Sequence, residues 1–87
     1  MKNVQIALPM KVQDFLDLLC KTLLLPAKSI SQDDTQDTVP NWDSLGHLEI
    51  IDVVDSLGVD TNDERLQKFT TIAELVQQLR DRGVLQD

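Results

Sequence analysis

Residues 41–57 read NWDSLGHLEIIDVVDSL, and this stretch decides the fold. Pro40 and Asn41 interrupt the chain before it, and the side-chain oxygens of Asp43 and Ser44 are both suited to cap a helix N-terminus. Apolar residues then recur at helical spacing as far as Leu57. The pattern predicts a helix over residues 44–57, with the Ser44 hydroxyl near the surface at the positive end of the helix dipole.

A helix start of this kind favours negative charge, because its first N–H groups have no acceptor within the helix. A phosphate ester on the Ser44 oxygen would therefore lie in a favourable position. We interpret Ser44 as a candidate site for carrying a covalently attached group. The simpler interpretation, that Ser44 only caps the helix, is also compatible with the sequence.

The predicted helix has two apolar faces of different character. Ile50, Val54 and Leu57 fall on one face and are expected in the core. Leu45 and Leu48 lie nearer to the acidic side, and leucines beside acids are typical of a docking surface with an apolar centre and a charged rim. The alternative is that both leucines belong to the core.

Length and composition indicate one small soluble domain of 87 residues, with its core over about 10–83 and a loose leader over 1–8. No apolar run approaches the roughly 20 residues that span a bilayer, and no secretory signal is apparent. Cys20 is the only cysteine and cannot form an internal disulfide, which favours a cytoplasmic location. We expect Cys20 to be buried as a small apolar residue.

Charge is unevenly distributed along the chain, whose formal net charge is −7. Residues 29–64 contain ten acids and no Lys or Arg, whereas all eight basic residues lie outside this span with five acids. The middle therefore carries −10 and the flanks +3. Such a field repels nucleic acid and anionic membranes, and it attracts basic protein surfaces. The alternative is an acidic surface that serves only solubility.

The rest of the chain predicts an all-α bundle of three long helices and one short helix, without strands. Apolar residues at helical spacing predict a first helix over about 10–24, and a polar connection follows over 27–41. A short helix is expected within 62–68, after Gly58 ends the second helix. Thr71 and Glu74 form a capping box for the last helix, which Gly83 ends.

Catalytic and metal-binding patterns are weak. Asp33, Asp34 and Asp37 lack the glycine and the terminal glutamate of a calcium-binding loop, so we predict no metal site. Ser44 and His47 are neighbours on the helix, but the glycines and the strand of a nucleophile elbow are missing. We therefore predict a protein that is not an enzyme, with His47 as a surface residue.

The motif Asp43-Ser44-Leu45, followed by Leu48-Glu49 and an acidic amphipathic helix, resembles the modification motif of acyl carrier proteins. The resemblance covers residues 10–83 and includes the order of the helices and the long loop. The form WDSLGHL, which begins at Trp42, is similar to freestanding carriers of polyketide and related specialised pathways. The sequence departs from the family where Asp52 replaces a usual methionine and Gln36 a usual apolar anchor, and its second helix is about one residue shorter.

The resemblance implies that a phosphopantetheinyl transferase moves 4′-phosphopantetheine from coenzyme A onto Ser44, beside the motif residue Asp43. The thiol of this arm would carry acyl groups as thioesters in polyketide, fatty-acid or related biosynthesis. The implied partners are the transferase and acyl-loading, condensing and other acyl-processing enzymes with basic docking surfaces, and the carrier is expected to be a monomer. Matched by position, the partner-facing residues are Leu45, Leu48, Glu49, Asp52 and Asp55.

Two alternatives to an acyl carrier remain open from the sequence. A carrier of aminoacyl or peptidyl groups is the nearer one, although such carriers more often show glycine or histidine where Asp43 stands. The other is a small acidic helical adaptor in which Ser44 is only a helix cap.

Overall fold

Four helices and one pair of very short strands make up residues 8–86, the part of the chain described by this computed structural model. In chain order the elements are β1 (Met10–Lys11), α1 (Val12–Thr22), α2 (Ser44–Ser56), α3 (Glu64–Gln67), α4 (Ile72–Asp81) and β2 (Leu85–Gln86). The prediction of a mostly helical domain is confirmed. The leader expected over residues 1–8 lies outside the described residues except for Leu8, which is exposed.

The prediction of a fold without strands is wrong at the two ends of the domain. β1 and β2 run parallel, with Met10 opposite Leu85 and Lys11 opposite Gln86. Two residues per strand are too few for an alternating pattern to be visible in the sequence. Because Met10 and Lys11 belong to this pairing, α1 begins two residues later than predicted, and it also ends two residues earlier.

The apolar residues that recur at helical spacing in α1, α2 and α4 all face one core. Cys20 is 1% exposed, which confirms its interpretation as a buried apolar residue, and every described residue that is buried is apolar. None of the helices within residues 8–86 is long and apolar enough to cross a membrane. The buried positions of the three helices are Val12, Phe15, Leu16, Leu19, Cys20, Ile50, Val54, Ile72, Leu75, Val76 and Leu79.

The long connection between α1 and α2 lies across the start of α4. Two apolar residues of this otherwise polar connection, Ile30 and Val39, are buried in the core. Two backbone hydrogen bonds hold the connection against the start of α4. Gln36 N donates to the carbonyl of Thr70 at 2.9 Å, and Ile72 N donates to the carbonyl of Asp34 at 3.0 Å. The half-buried Gln36 is thus anchored through its backbone.

Asp34 organises the turn at the middle of this connection. Its carboxylate accepts hydrogen bonds from Ser31 N at 2.8 Å and from Thr38 Oγ1 at 2.9 Å. These donors hold the pKa of Asp34 below its ordinary value, with the Ser31 N–H contributing most. One member of the acidic cluster therefore has a structural role that the sequence pattern did not indicate.

The short third helix is confirmed as α3, and its Leu66 is buried. The N-cap of α3 is Asp63, whose carboxylate accepts from Arg65 N at 2.9 Å and from Arg82 Nη2 at 2.7 Å. The Arg65 N–H is the main cause of the lowered pKa of Asp63, and Arg82 lowers it further. This ion pair joins the start of α3 to the end of α4.

Candidate functional site

The start of α2 is shaped by a tight turn and one capping hydrogen bond. Asn41 has a left-handed backbone with φ of 69°, which reverses the chain just before the helix. The Asp43 carboxylate then accepts a hydrogen bond from Gly46 N at 2.8 Å. Asp43 is therefore the N-cap, and Ser44, which the sequence allowed as a second candidate for that role, is the first residue of the helix.

The Ser44 side chain is exposed, as the sequence predicted. Among residues 8–86, its hydroxyl has no hydrogen-bond partner. The backbone N–H groups of Ser44 and Leu45 also lack an acceptor within this part of the chain. An accessible hydroxyl thus lies beside two free N–H groups at the positive end of a 13-residue helix.

His47 has a different environment from the one predicted, because it is half-buried and both of its ring nitrogens are engaged. Trp42 Nε1 donates to His47 Nδ1 at 3.0 Å, and His47 Nε2 lies 2.6 Å from the carbonyl oxygen of Gln67. Since the indole nitrogen can only donate, Nδ1 must accept and Nε2 must carry the hydrogen that Gln67 receives. No hydrogen bond joins His47 to Ser44 within the described chain.

Three aromatic rings hold the start of α2 against the segment that follows α3. The rings of Trp42 and His47 are stacked with an interplanar angle of 9°, and their centroids are 6.2 Å apart. Phe69 contacts both, with centroid distances of 5.5 Å to Trp42 and 4.6 Å to His47. The sequence could not indicate this cluster, because Phe69 lies more than 20 residues away from its two partners.

An open groove of about 450 Å³ begins at Ser44 and runs between α2 and the segment after α3. Its floor combines apolar and polar side chains, and Lys68 is the one cation among its described lining residues. That ammonium group lies 3.1 Å from the Glu64 carboxylate, and both are mostly exposed. The groove is lined by Gln36, Ser44, His47, Leu48, Lys68, Phe69 and Thr70.

The second apolar face of α2 is exposed. Leu45 is 66% exposed and Leu48 is 60% exposed, so the alternative that both belong to the core is wrong. Glu49, Asp52 and Asp55 are exposed as well, and none of them forms an ion pair within residues 8–86. We call these five residues the acidic leucine face, which begins immediately after Ser44.

The site therefore unites most of the residues that the sequence singled out. Ser44, its neighbour Asp43 and the acidic leucine face form one continuous surface at the first three turns of α2. Comparison with models of known protein families, with curated proteins and with solved structures finds no match to this chain.

Proposed function

We propose that this chain is an acyl carrier protein that carries 4′-phosphopantetheine on Ser44. The observation that carries the proposal is the Ser44 hydroxyl at the first residue of α2, which is exposed and has no hydrogen-bond partner within residues 8–86. The order of the helices, with the long loop before α2 and the short α3 before α4, agrees with the acyl-carrier-like bundle that the resemblance implies.

Attachment would form a bond between Ser44 Oγ and the phosphorus atom on the pantetheine side of coenzyme A. It would break the pyrophosphate linkage of that donor, and the nucleotide half would leave with the bridging oxygen. The hydroxyl proton would pass to a base on the transferase, because both nitrogens of His47 are already engaged with other groups. When bound, the group supplies a thiol that holds acyl chains as thioesters. The carrier itself would present this thiol and catalyse no reaction.

The surroundings of Ser44 fit such a phosphodiester. The free N–H groups of Ser44 and Leu45 and the helix dipole favour a negative charge at this position. The Asp43 carboxylate would repel the negative charge of the phosphodiester. This repulsion is reduced because Asp43 Oδ1 accepts a hydrogen bond from Gly46 N, whose dipole partly offsets the charge of the carboxylate. The open groove beside Ser44 gives an arm space without any change in the core.

The acidic leucine face fits the partners of a carrier, which would be the transferase and acyl-processing enzymes with basic docking surfaces. Leu45 and Leu48 provide an apolar centre, and the unpaired carboxylates around them attract a basic rim. Glu49→Lys or Asp55→Lys should slow association with the transferase, and the wild-type rate should fall as salt rises. Rates indifferent to both changes would leave the acidic surface with a solubility role.

The decisive experiment is intact-mass analysis after incubation with coenzyme A and a broad-specificity phosphopantetheinyl transferase. The wild-type chain should gain one phosphopantetheine, and Ser44→Ala should gain none. Ser56→Ala is the matched control, because Ser56 is an exposed serine at the other end of the same helix. A wild-type chain that gains no mass would favour the alternative of a small acidic adaptor protein, in which Ser44 is never modified. Trapping of an aminoacyl thioester on the arm would instead identify the peptidyl type of carrier.

A further inference from the structure

Leu24 combines two unfavourable features, which makes it unusual among the described residues. Its backbone is left-handed with φ of 61°, a conformation that is disfavoured for residues with a bulky side chain. Its side chain is 88% exposed, which is the largest value among the exposed large apolar residues of the described chain. Leu24 therefore gains nothing from the core in return for its backbone conformation.

The turn that contains Leu24 does not require a leucine. Leu24 N donates to the carbonyl of Lys21 at 3.2 Å, and Leu25 N donates to the carbonyl of Cys20 at 2.8 Å. This pair of hydrogen bonds is the motif that commonly ends a helix with glycine at the left-handed position. The same pair of bonds ends α4, where Gly83 occupies that position with φ of 77°.

The turn is packed against the start of α2. Asn41 Nδ2 donates to the carbonyl of Leu23 at 2.8 Å, so the residue before Leu24 is bonded directly to the turn that precedes α2. On the helix itself, a Cβ placed on Gly46 would lie 3.2 Å from Leu23 Cδ2. Leu24 thus directly follows a residue that is bonded to the turn before α2 and packed near Gly46 in its first turn.

We propose that Leu24 is an apolar contact for the enzyme that attaches the phosphopantetheine group to Ser44, an inference that rests on the proposed function. That enzyme must bring its reacting atoms to the Ser44 oxygen, so its contact surface has to cover the start of α2. Enzymes that act later reach a thiol at the end of a flexible arm and have no such requirement. An interface of ordinary size covers about 800 Å² per partner, which extends beyond one helical turn to its neighbours.

The charges near Leu24 define the chemistry of the partner surface. Lys21 and Lys28 are exposed on either side of Leu24 in the sequence, so positive charges flank it instead of the carboxylates found on α2. We therefore expect the partner to be basic opposite Glu49 and Asp52, and to offer an apolar surface that is not basic opposite Leu24. The two parts of the contact differ in their response to salt, because only the first depends on charge.

The test is the rate of phosphopantetheine transfer, measured as kcat/KM for the carrier chain with coenzyme A and the same broad-specificity transferase. Leu24→Gly should raise the melting temperature, because glycine relieves the left-handed backbone. It should nevertheless lower kcat/KM about fivefold to tenfold, with the wild-type salt dependence retained. Leu24→Met keeps an apolar side chain of similar volume and should stay near the wild-type rate.

Leu8→Ala is the matched control, because Leu8 is an exposed leucine that precedes the other end of α1, and its transfer rate should not change. A Leu24→Gly chain that is modified at the wild-type rate overturns the proposal and leaves the proposed function intact. An equal loss in Leu24→Met also overturns it, since the loss would then not come from the missing apolar contact. If the wild-type chain is never modified at Ser44, both proposals fail together.

Discussion

The starts of α2 and α4 use the same capping chemistry and yet have opposite surroundings. At α4, Thr71 Oγ1 accepts from Glu74 N at 3.1 Å, and Glu74 Oε1 accepts from Thr70 N at 3.1 Å. The hydroxyls of both threonines also bond to Glu74, and the loop carbonyl of Asp34 accepts from Ile72 N. Most polar groups at the start of α4 are therefore bonded, either to one another or to the long loop between α1 and α2.

At α2, the cap satisfies only one of the first N–H groups through a side chain. Asp43 accepts from Gly46 N, whereas the Ser44 hydroxyl and the N–H groups of Ser44 and Leu45 have no partner within residues 8–86. The leucines that follow, Leu45 and Leu48, are exposed. The start of α2 therefore presents polar groups that a partner molecule could bind, whereas those of α4 are bonded within the domain, and the following predictions test this contrast.

The largest expected effect on stability is that of Gly46→Ala in the first turn of α2, the helix start with polar groups that are unbonded within residues 8–86. We call this the open start. A Cβ at this position would lie 2.1 Å from the carbonyl oxygen of Asn41 and 3.2 Å from Leu23 Cδ2. Because the closer obstacle is backbone, the turn before α2 must shift, and the free energy of unfolding should fall by about 3 kcal/mol. Urea unfolding measures the change. A fall within about 0.5 kcal/mol, the range expected for surface changes, would show that the turn adapts freely.

Removal of one ring from the aromatic cluster should lower the free energy of unfolding less than Gly46→Ala does. His47→Ala removes the acceptor of Trp42 Nε1 and two ring contacts, and should lower the free energy of unfolding by about 2 kcal/mol. Trp42 is the only tryptophan, so its fluorescence should also shift to longer wavelength as its ring becomes more accessible to water. Glu49→Ala on the exposed side of α2 is the control. An unchanged emission spectrum in His47→Ala would contradict the contacts described for this ring.

The two hydroxyls at the helix starts provide the most direct contrast. Thr71→Ala removes a working cap and should lower the free energy of unfolding by about 1 kcal/mol. Ser44→Ala removes a hydroxyl that has no partner in the described chain, and its effect should stay within about 0.5 kcal/mol. Thermal unfolding of the two variants side by side makes the comparison. Equal losses would mean that Ser44 also serves as a cap, which would weaken the case for a free attachment site.

The smallest expected effect concerns the start of α4, where a change at Glu74 should alter how much stability the protein loses in acid. Hydrogen bonds, chiefly from Thr70 N–H, hold the pKa of Glu74 below its ordinary value. A lowered folded-state pKa contributes stability above the unfolded pKa, and this contribution is lost as the pH falls through the folded pKa. Glu74 is mostly exposed and screened by solvent, so Glu74→Gln should reduce the acid-induced loss by only a few tenths of a kcal/mol.

Urea unfolding at about pH 6 and about pH 3.5 tests this change around the titration range of carboxyl groups. Asp34→Asn should act in the same direction, because Ser31 and Thr38 lower the pKa of that carboxyl as well. A Glu74→Gln chain with a steeper loss of stability in acid than the wild type would contradict the assigned sign.

Local sequence patterns predicted the parts of the fold that depend on nearby residues. Ile50, Val54 and Leu57 are buried, Gly58 and Gly83 take the left-handed conformation, and Thr71 caps α4. Ser44 was placed at the start of α2 because caps and turns are encoded within a few residues. Each of these features needs only spacing and residue type to be recognised.

The features that the sequence did not indicate depend on contacts between distant segments. The β1–β2 pair joins the two ends of the described chain, and the hydrogen bond from His47 reaches the carbonyl of Gln67. The left-handed backbone of Leu24 has a different origin. Its turn is local, and it was not indicated only because the rule for helix ends favours glycine there. These long-range contacts determine which helix start is open and which is closed.

The central claim is that the open start of α2 carries a covalent group in the living cell. Peptide mapping by mass spectrometry of the chain isolated from its own cells tests this claim most directly. The account predicts that the peptide containing Ser44 bears phosphopantetheine, while peptides containing Ser56 and Thr71 are unmodified. A Ser44 peptide found only with a free hydroxyl would contradict the account.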